Sequence, residues 1–240
     1  MRLDRLLANL GYGTRSEVRE LVLAGRVALQ GEPVLDPAAK VDDPTGVTLD
    51  GEPLEAPTGL FVAFHKPVGY VCSHDDRHDA VVWELLPRHW LARNPRPTTV
   101  GRLDKDSSGL LLITDLHPLV HRLTSPRRHV PKRYVVRLDR PLDDPGALAA
   151  LFASGTLVLR GETEPCLPAE LIVRDDGGEG AGRVVEVVLT EGRHRQLRRM
   201  FAACGYRVEA LHRVAVGPYE LGDLPEGGWR YEDPAAVTDG

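Results

Sequence analysis

Gly101-Arg102-Leu103-Asp104-Lys105-Asp106-Ser107-Ser108-Gly109-Leu110-Leu111-Leu112-Ile113-Thr114 sets one carboxylate, Asp104, in a polar turn, with an arginine two residues before it and an apolar run behind it. Leu110 to Thr114 reads as a buried strand, and the β-prone Thr98 to Val100 as a strand on the other side of the turn. A turn held between two strands is where a rigid scaffold can present a single reactive group. Read alone, Asp104 is more simply a cap for the turn's own backbone amides. Its meaning depends on what the rest of the chain brings to it.

Around this stretch, Leu60 to His65, Tyr134 to Leu138 and Val184 to Leu189 are the other clear strands. Most connections are too short for repeated βαβ crossovers, which predicts an α+β domain on a largely antiparallel mixed sheet flanked by helices. Asp144-Pro145 opens a capped amphipathic helix, and Asp175 to Gly182 is polar and glycine-rich enough to be an exposed loop. Glu191-Gly192-Arg193-His194-Arg195 leads into a helix starting near Gln196 and ended by Gly205. Leu197, Met200, Phe201 and Cys204 share its buried face. Arg198 lies at the edge of that stripe, where it can point inward toward a carboxylate.

The first fifty residues have a different pattern. Leu3 to Asn9 reads as a short helix, and Thr14-Arg15-Ser16-Glu17 is a capping box for a second helix running to Ala24. Arg26 to Leu29, Glu32 to Val34 and Val47 to Leu49 then suggest a small sheet. Two short helices bearing arginines, followed by a Gly-Arg-Val strand, resemble the S4 RNA-binding domain. That resemblance implies that Arg2, Arg5, Arg15, Arg19 and Arg26 grip RNA backbone. The planar guanidinium meets phosphate oxygens in bidentate fashion, although solvated helix charges would look the same. The expected division is 1–50 for this domain, 51–58 for a linker with two prolines, 59–231 for a second domain and 232–240 for a tail.

The net charge of the 240-residue chain is −5, but the charge is unevenly distributed. Residues 1–30, 99–137 and 191–213 carry 19 Lys/Arg against 8 Asp/Glu, whereas the remainder carries 11 against 27. A basic face on an acidic body suits a polyanionic partner. No apolar run approaches the roughly 20 residues of a membrane span, and the first residues lack the apolar core of a signal peptide, so a cytoplasmic location is expected. Cys72, Cys166 and Cys204 are too few and too scattered for a disulfide framework or a zinc site. His74, Asp75, Asp76 and His78 lack a helical ligand pair and read as a loop, and no nucleotide-cradling glycine motif is present. Neither metal nor cofactor is expected.

Five motifs occur together and in order: the S4-like segment, Lys66-Pro67-Val68-Gly69, the Asp104 turn, Lys132-Arg133-Tyr134, and Glu191-Gly192-Arg193 with Gln196-Leu197-Arg198-Arg199-Met200. They are similar to those of the pseudouridine synthases of the RsuA/RluB/RluE/RluF family, which join an S4 domain to a catalytic domain. The resemblance implies an isomerase of ribosomal RNA acting as a monomer without a cofactor. It makes Asp104 the essential carboxylate, Tyr134 the aromatic that stacks on the target base, and Arg198 the partner that keeps Asp104 ionised. Leu103 and Leu197 would line the pocket. Lys66, Arg102, Lys105, Arg127, Arg128, Lys132 and Arg195 are expected to contact RNA.

Gly69-Tyr70-Val71-Cys72-Ser73 and His121 to His129 resemble the members that act on the small subunit, implying a 16S target, met in a small-subunit assembly intermediate. Arg195 instead follows the pattern of the large-subunit members, which keeps a 23S target open. A noncatalytic S4-domain assembly factor is the rival from another class, and a hydrolase using Asp104 as nucleophile would need a second acid or base that the turn does not obviously supply.

Overall fold

The computed structural model describes residues 1–75, 77–174 and 182–236. The expected loop from Asp175 therefore lies outside the described residues except for Gly182, as does Asp76. Helices α1 (Leu3–Asn9) and α2 (Arg15–Leu23) pack on a small antiparallel sheet of β1 (Val27–Leu29), β2 (Glu32–Pro33), β3 (Val47–Leu49) and β4 (Glu52–Pro53), ordered β2-β1-β3-β4. The capping box forms: Glu17 N donates to Thr14 Oγ1 (3.3 Å), and Thr14 N donates to the Glu17 carboxylate (2.7 Å). Val18 and Val22, one turn apart on α2, are fully buried with Leu3 and Leu7 of α1.

The stretch 51–58 is not simply a linker. Glu52–Pro53 is β4, paired with β3, and Leu54 is buried in the first core. Pro53 is tolerated because β4 is an edge strand, where a missing amide donor costs no ladder bond.

Among the described residues, nine strands form the second sheet. They are β5 (Phe61–Lys66), β6 (Thr98–Val100), β7 (Ser108–Thr114), β8 (Lys132–Leu138), β9 (Glu170–Val173), β10 (Val184–Leu189), β11 (Val208–Val216), β12 (Tyr219–Glu220) and β13 (Trp229–Tyr231). The main order is β13-β5-β7-β11-β8-β10-β9, with β12 on β11 and β6 on β7. Helices α3 (His117–Thr124), α4 (Pro145–Ser154) and α5 (Gln196–Ala203) flank it. Every pairing is antiparallel except β7 with β11.

Strand β7 explains the apolar run after the Asp104 turn. Its alternate residues serve two cores: Leu111 and Ile113 pack with Trp83 and Trp90, and Leu110 and Leu112 with Leu119 and Leu123 of α3. Each such leucine buried completely contributes about 1.5–3 kcal/mol. One edge of β7 is taken by β5. The other is shared, with β6 pairing at Leu112–Thr114 and β11 at Ser108–Gly109. The Asp104 turn fills the gap where β6 ends and β11 begins.

The two units also touch. Asn94 N donates to Asn9 O (2.7 Å), and Glu55 N donates to Tyr12 Oη (2.8 Å). The expected tail is partly ordered on the second sheet, since Glu232 N bonds Phe61 O (3.0 Å) and Tyr219 Oη bonds Asp233 O (2.8 Å). No helix among the described residues is long and apolar enough to cross a membrane.

Candidate active site

The backbone of the Asp104 turn is held from beneath by Lys66, the last residue of β5. Its Nζ donates to Ser107 O (2.7 Å), Pro67 O (2.9 Å) and Asp104 O (3.2 Å). Lys66 is fully buried, so the expectation that it contacts RNA is corrected: it is an internal fastener. Burial pushes its pKa below the usual lysine value, opposed by the neighbouring Cys72, Asp106 and Asp104 charges. Gly69 N adds a bond to Lys105 O (2.7 Å), and the Lys105 side chain is ion-paired with Asp79.

Helix α5 holds the turn from the side, through Asp106 rather than Asp104. Arg198 Nη2 donates to Asp106 O (2.9 Å) and lies 3.2 Å from its carboxylate, while Nη1 donates to Val208 O (2.9 Å). Arg195 Nη2 reaches the same carboxylate (2.9 Å). The expected Arg198–Asp104 ion pair is therefore replaced by an Arg198–Asp106 pair. The physical reason is the Val208 carbonyl, which anchors one arm of the guanidinium and aims the other along the turn. Among the described residues the Asp104 carboxylate has no ion pair within 4.0 Å, and the residue is partly exposed.

Above the turn lies a cavity of about 500 Å³. Seven of the residues expected at the site meet around it: Arg102, Leu103, Asp104, Lys132, Tyr134, Arg195 and Leu197. Lys66, Lys105, Arg127, Arg128 and Arg198 are outside its lining. Tyr134 is placed by β8, between Val187 of β10 and Arg213 of β11, and its ring packs against two of the apolar clusters. Leu197 reaches the cavity because Met200 and Phe201 bury the same face of α5.

Arg213 also lines the cavity and was not expected there. It is 2% exposed; Nε donates to Leu110 O (2.8 Å), Nη1 donates to Arg102 O (3.4 Å), and buried Nη2 has no partner. Its backbone presses on Gly109, where an added Cβ would sit 2.2 Å from Arg213 O, so only glycine (φ +106°) fits. Burial, together with the Arg213 charge, pushes the Lys132 pKa down.

Other parts of the basic motif after β10 are structural. Arg193 donates to Glu191 (3.1 Å) and Glu162 (2.5 Å), and Arg199 donates to Glu162 (2.5 Å). These bonds hold the Glu162 carboxyl below its usual pKa. In the first unit, Arg2 is paired with Asp4 (2.7 Å) and Arg26 with Asp50 (2.5 Å). Arg5, Arg15 and Arg19 are exposed and make no salt bridge within 4.0 Å among the described residues. Arg127 and Arg128 are exposed on a single turn, Pro126–Arg128.

A small helical and β unit with free arginines, beside a mixed sheet that sets a carboxylate and a tyrosine around one cavity, defines an RNA-modifying enzyme. Residues 60–203 match the RNA pseudouridylate synthase family and residues 1–46 the S4 domain, and the chain belongs to that synthase family, whose members isomerise uridine to pseudouridine. It is 38% identical to the ribosomal small subunit pseudouridine synthase A of Pasteurella multocida, over 96% of this chain and 95% of that one. It is 35% identical to the ribosomal large subunit pseudouridine synthase B of Yersinia pestis, over 99% of this chain and 74% of that one. A crystal structure of a pseudouridylate synthase superposes with a TM-score of 0.65 at 34% identity, covering 97% of this chain and 96% of the other.

Proposed function

We propose that this enzyme converts one uridine of 16S ribosomal RNA to pseudouridine, with Asp104 as the catalytic carboxylate. The observation that carries this reading is the single cavity shared by Asp104 and Tyr134, walled by Leu103 and Leu197. Asp104 acts at the sugar of the flipped nucleotide, as nucleophile at C1′ or as base at C2′. Tyr134 stacks on the uracil and keeps it bound after the N1–C1′ bond breaks. Leu103 and Leu197 exclude water, which would otherwise capture the sugar. Arg198 and Arg195 act one step back, holding Asp106 and so the turn.

Flipping the uridine costs a few kcal/mol. Phosphate contacts from Arg102, Arg127, Arg128 and Lys132, and from Arg5, Arg15 and Arg19 of the first unit, offset that cost. The small-subunit target rests on the sequence similarity to synthase A of P. multocida. The substrate is ribosomal RNA in a small-subunit assembly intermediate, met by a cytoplasmic monomer. A 23S target is the second reading, favoured by Arg195 and by the similarity to the large-subunit enzyme of Y. pestis.

The test is tritium release from C5-tritiated 16S and 23S RNA, free and in partly assembled particles. Release from small-subunit substrate, lost in Asp104→Asn, is expected. Release from 23S RNA alone would overturn the target, and full-rate release by Asp104→Asn would overturn the role of Asp104.

A further inference from the structure

Arg213 is the most unusual charge in the molecule. A guanidinium stays protonated at any working pH, and burying one without a counter-ion costs several kcal/mol. Arg213 is 2% exposed, has no ion pair within 4.0 Å among the described residues, and leaves Nη2 buried without an acceptor. Its other two nitrogens are used, so the side chain is not free to swing toward solvent. Two further cations, Lys66 and Lys132, are close enough for the Arg213 charge to press their pKa values down. Lys132 and Arg213 thus set two positive charges around the cavity, and neither makes an ion pair within 4.0 Å among the described residues.

Its position indicates what the missing partner is. Arg213 is the cross-strand neighbour of Tyr134 and lines the same cavity as Asp104. A phosphodiester stays on the surface of a nucleic acid, whereas Arg213 is a buried residue of the cavity wall; the part of a nucleotide that can enter so deep is the base.

We infer that Arg213 receives the target uracil, the fixed charge of its guanidinium at the cavity wall stabilising the negative charge the ring takes up during reaction. When the N1–C1′ bond breaks, its electron pair passes to the uracil, which becomes an anion spread over N1 and the carbonyl oxygens. Formation of the C5–C1′ bond, which displaces Asp104 from C1′ or is accompanied by return of the proton it took from C2′, draws a pair back out of the ring. The C5 proton then leaves, and N1 takes up a proton from solvent, so the base ends neutral. A positive charge fixed in place before the negative charge appears pays no reorganisation cost as it develops. This assignment rests on the isomerase reading above and adds to it the group that binds the leaving base.

The test compares Arg213→Gln, which keeps a donor but removes the charge, with Arg213→Lys, which keeps the charge. At saturating RNA the single-turnover rate of Arg213→Gln is expected to fall by about 100-fold, in the range seen when a charge-stabilising donor is lost, with RNA affinity held within about threefold. Arg213→Lys is expected to recover at least about tenfold of the loss. In parallel, free uracil is titrated calorimetrically into each protein, a measurement that needs no turnover. Wild type should bind it, and Arg213→Gln at least about tenfold more weakly. Equal uracil binding by the two, or none by wild type at millimolar concentration, would overturn the assignment even if tritium release proceeds. A defect confined to RNA affinity would also overturn it, as would a thermal unfolding shift in both variants with no difference in rate between them.

Discussion

Arg198 and Asp106 are joined twice, through the Asp106 carbonyl at 2.9 Å and its carboxylate at 3.2 Å. The helix thereby grips the turn by its backbone as well as by charge. Asp106→Asn leaves the carbonyl bond in place and should lower the rate of tritium release by less than about tenfold, since a half-exposed ion pair contributes about 1 kcal/mol at most. Arg198→Ala removes both bonds and the one to Val208, and should cost at least about 100-fold, the loss that follows small misplacements of a reacting group. Equal losses in the two variants would show that only the charge matters.

Lys66 bonds three carbonyls, of which that of Ser107 is buried and those of Pro67 and Asp104 partly so, and Lys66→Met leaves all of them without that donor. At about 1–3 kcal/mol for a buried unsatisfied group, and less for the two that water can reach, the variant should lose at least about 1–3 kcal/mol in urea unfolding. Because burial lowers the Lys66 pKa, the folded chain binds fewer protons than the unfolded chain over the range between that lowered value and about 10.4. Stability attributable to this group therefore rises with pH through that window, and Lys66→Met should flatten the rise.

At Gly109, alanine would bring its Cβ within 2.2 Å of the Arg213 carbonyl, and the positive φ adds strain. Gly109→Ala should destabilise the protein by more than about 3 kcal/mol, above the usual range for a point change. Thermal unfolding should show it, and the cavity-facing Tyr134 should report it by fluorescence. Gly192→Ala, at a position open to solvent, is the control expected to leave the unfolding temperature unchanged.

The arginines of the first unit fall into two groups. Arg2 and Arg26 must give up Asp4 and Asp50 to meet a phosphate, while Arg5, Arg15 and Arg19 need not. Substituting the latter three by alanine should make the slope of log affinity against log salt shallower by about 2, at roughly 0.7–0.9 for each phosphate no longer neutralised. Arg26→Ala should change it by less than about half a unit on the same scale.

Glu55 joins the two units. Burial raises its carboxyl pKa, but hydrogen bonds from Tyr231 (2.6 Å), His89 and Trp90 (2.9 Å) outweigh that and leave it below the usual value. A depressed carboxylate stabilises the fold fully above about pH 4.3 and loses that contribution as pH falls through its folded pKa. Acid unfolding of Glu55→Gln should therefore begin from a lower stability and depend less on pH in that range than wild type.

Much of the architecture could be read from the chain because local pattern and tertiary context agree there. The Thr14–Glu17 box caps α2, the stripe Leu197, Met200 and Phe201 turns α5 toward the core, and the run from Leu110 is buried on both faces. Strand β11 is the main element that sequence pattern did not reveal. Glu209, His212 and Arg213 interrupt its apolar alternation, and Arg213 is buried against the rule for its type. Lys66 was misread for a related reason, since a lysine ending a strand gives no sign of whether it turns outward or folds beneath a turn. The choice between Asp104 and Asp106 as the partner of Arg198 depends on the Val208 carbonyl, ten residues further on, which helical spacing alone does not include.

The shared edge of β7 also bears on when the enzyme becomes active. Leu110 and Arg213, joined by one hydrogen bond, lie 103 positions apart in the chain. During synthesis the arginine-bearing first unit and the Asp104 turn emerge well before α5 and β11, and domains fold in the order they are made. With the roles proposed above, a half-made chain would hold RNA before it could alter it: affinity would be acquired first, and chemistry would wait for the last quarter of translation.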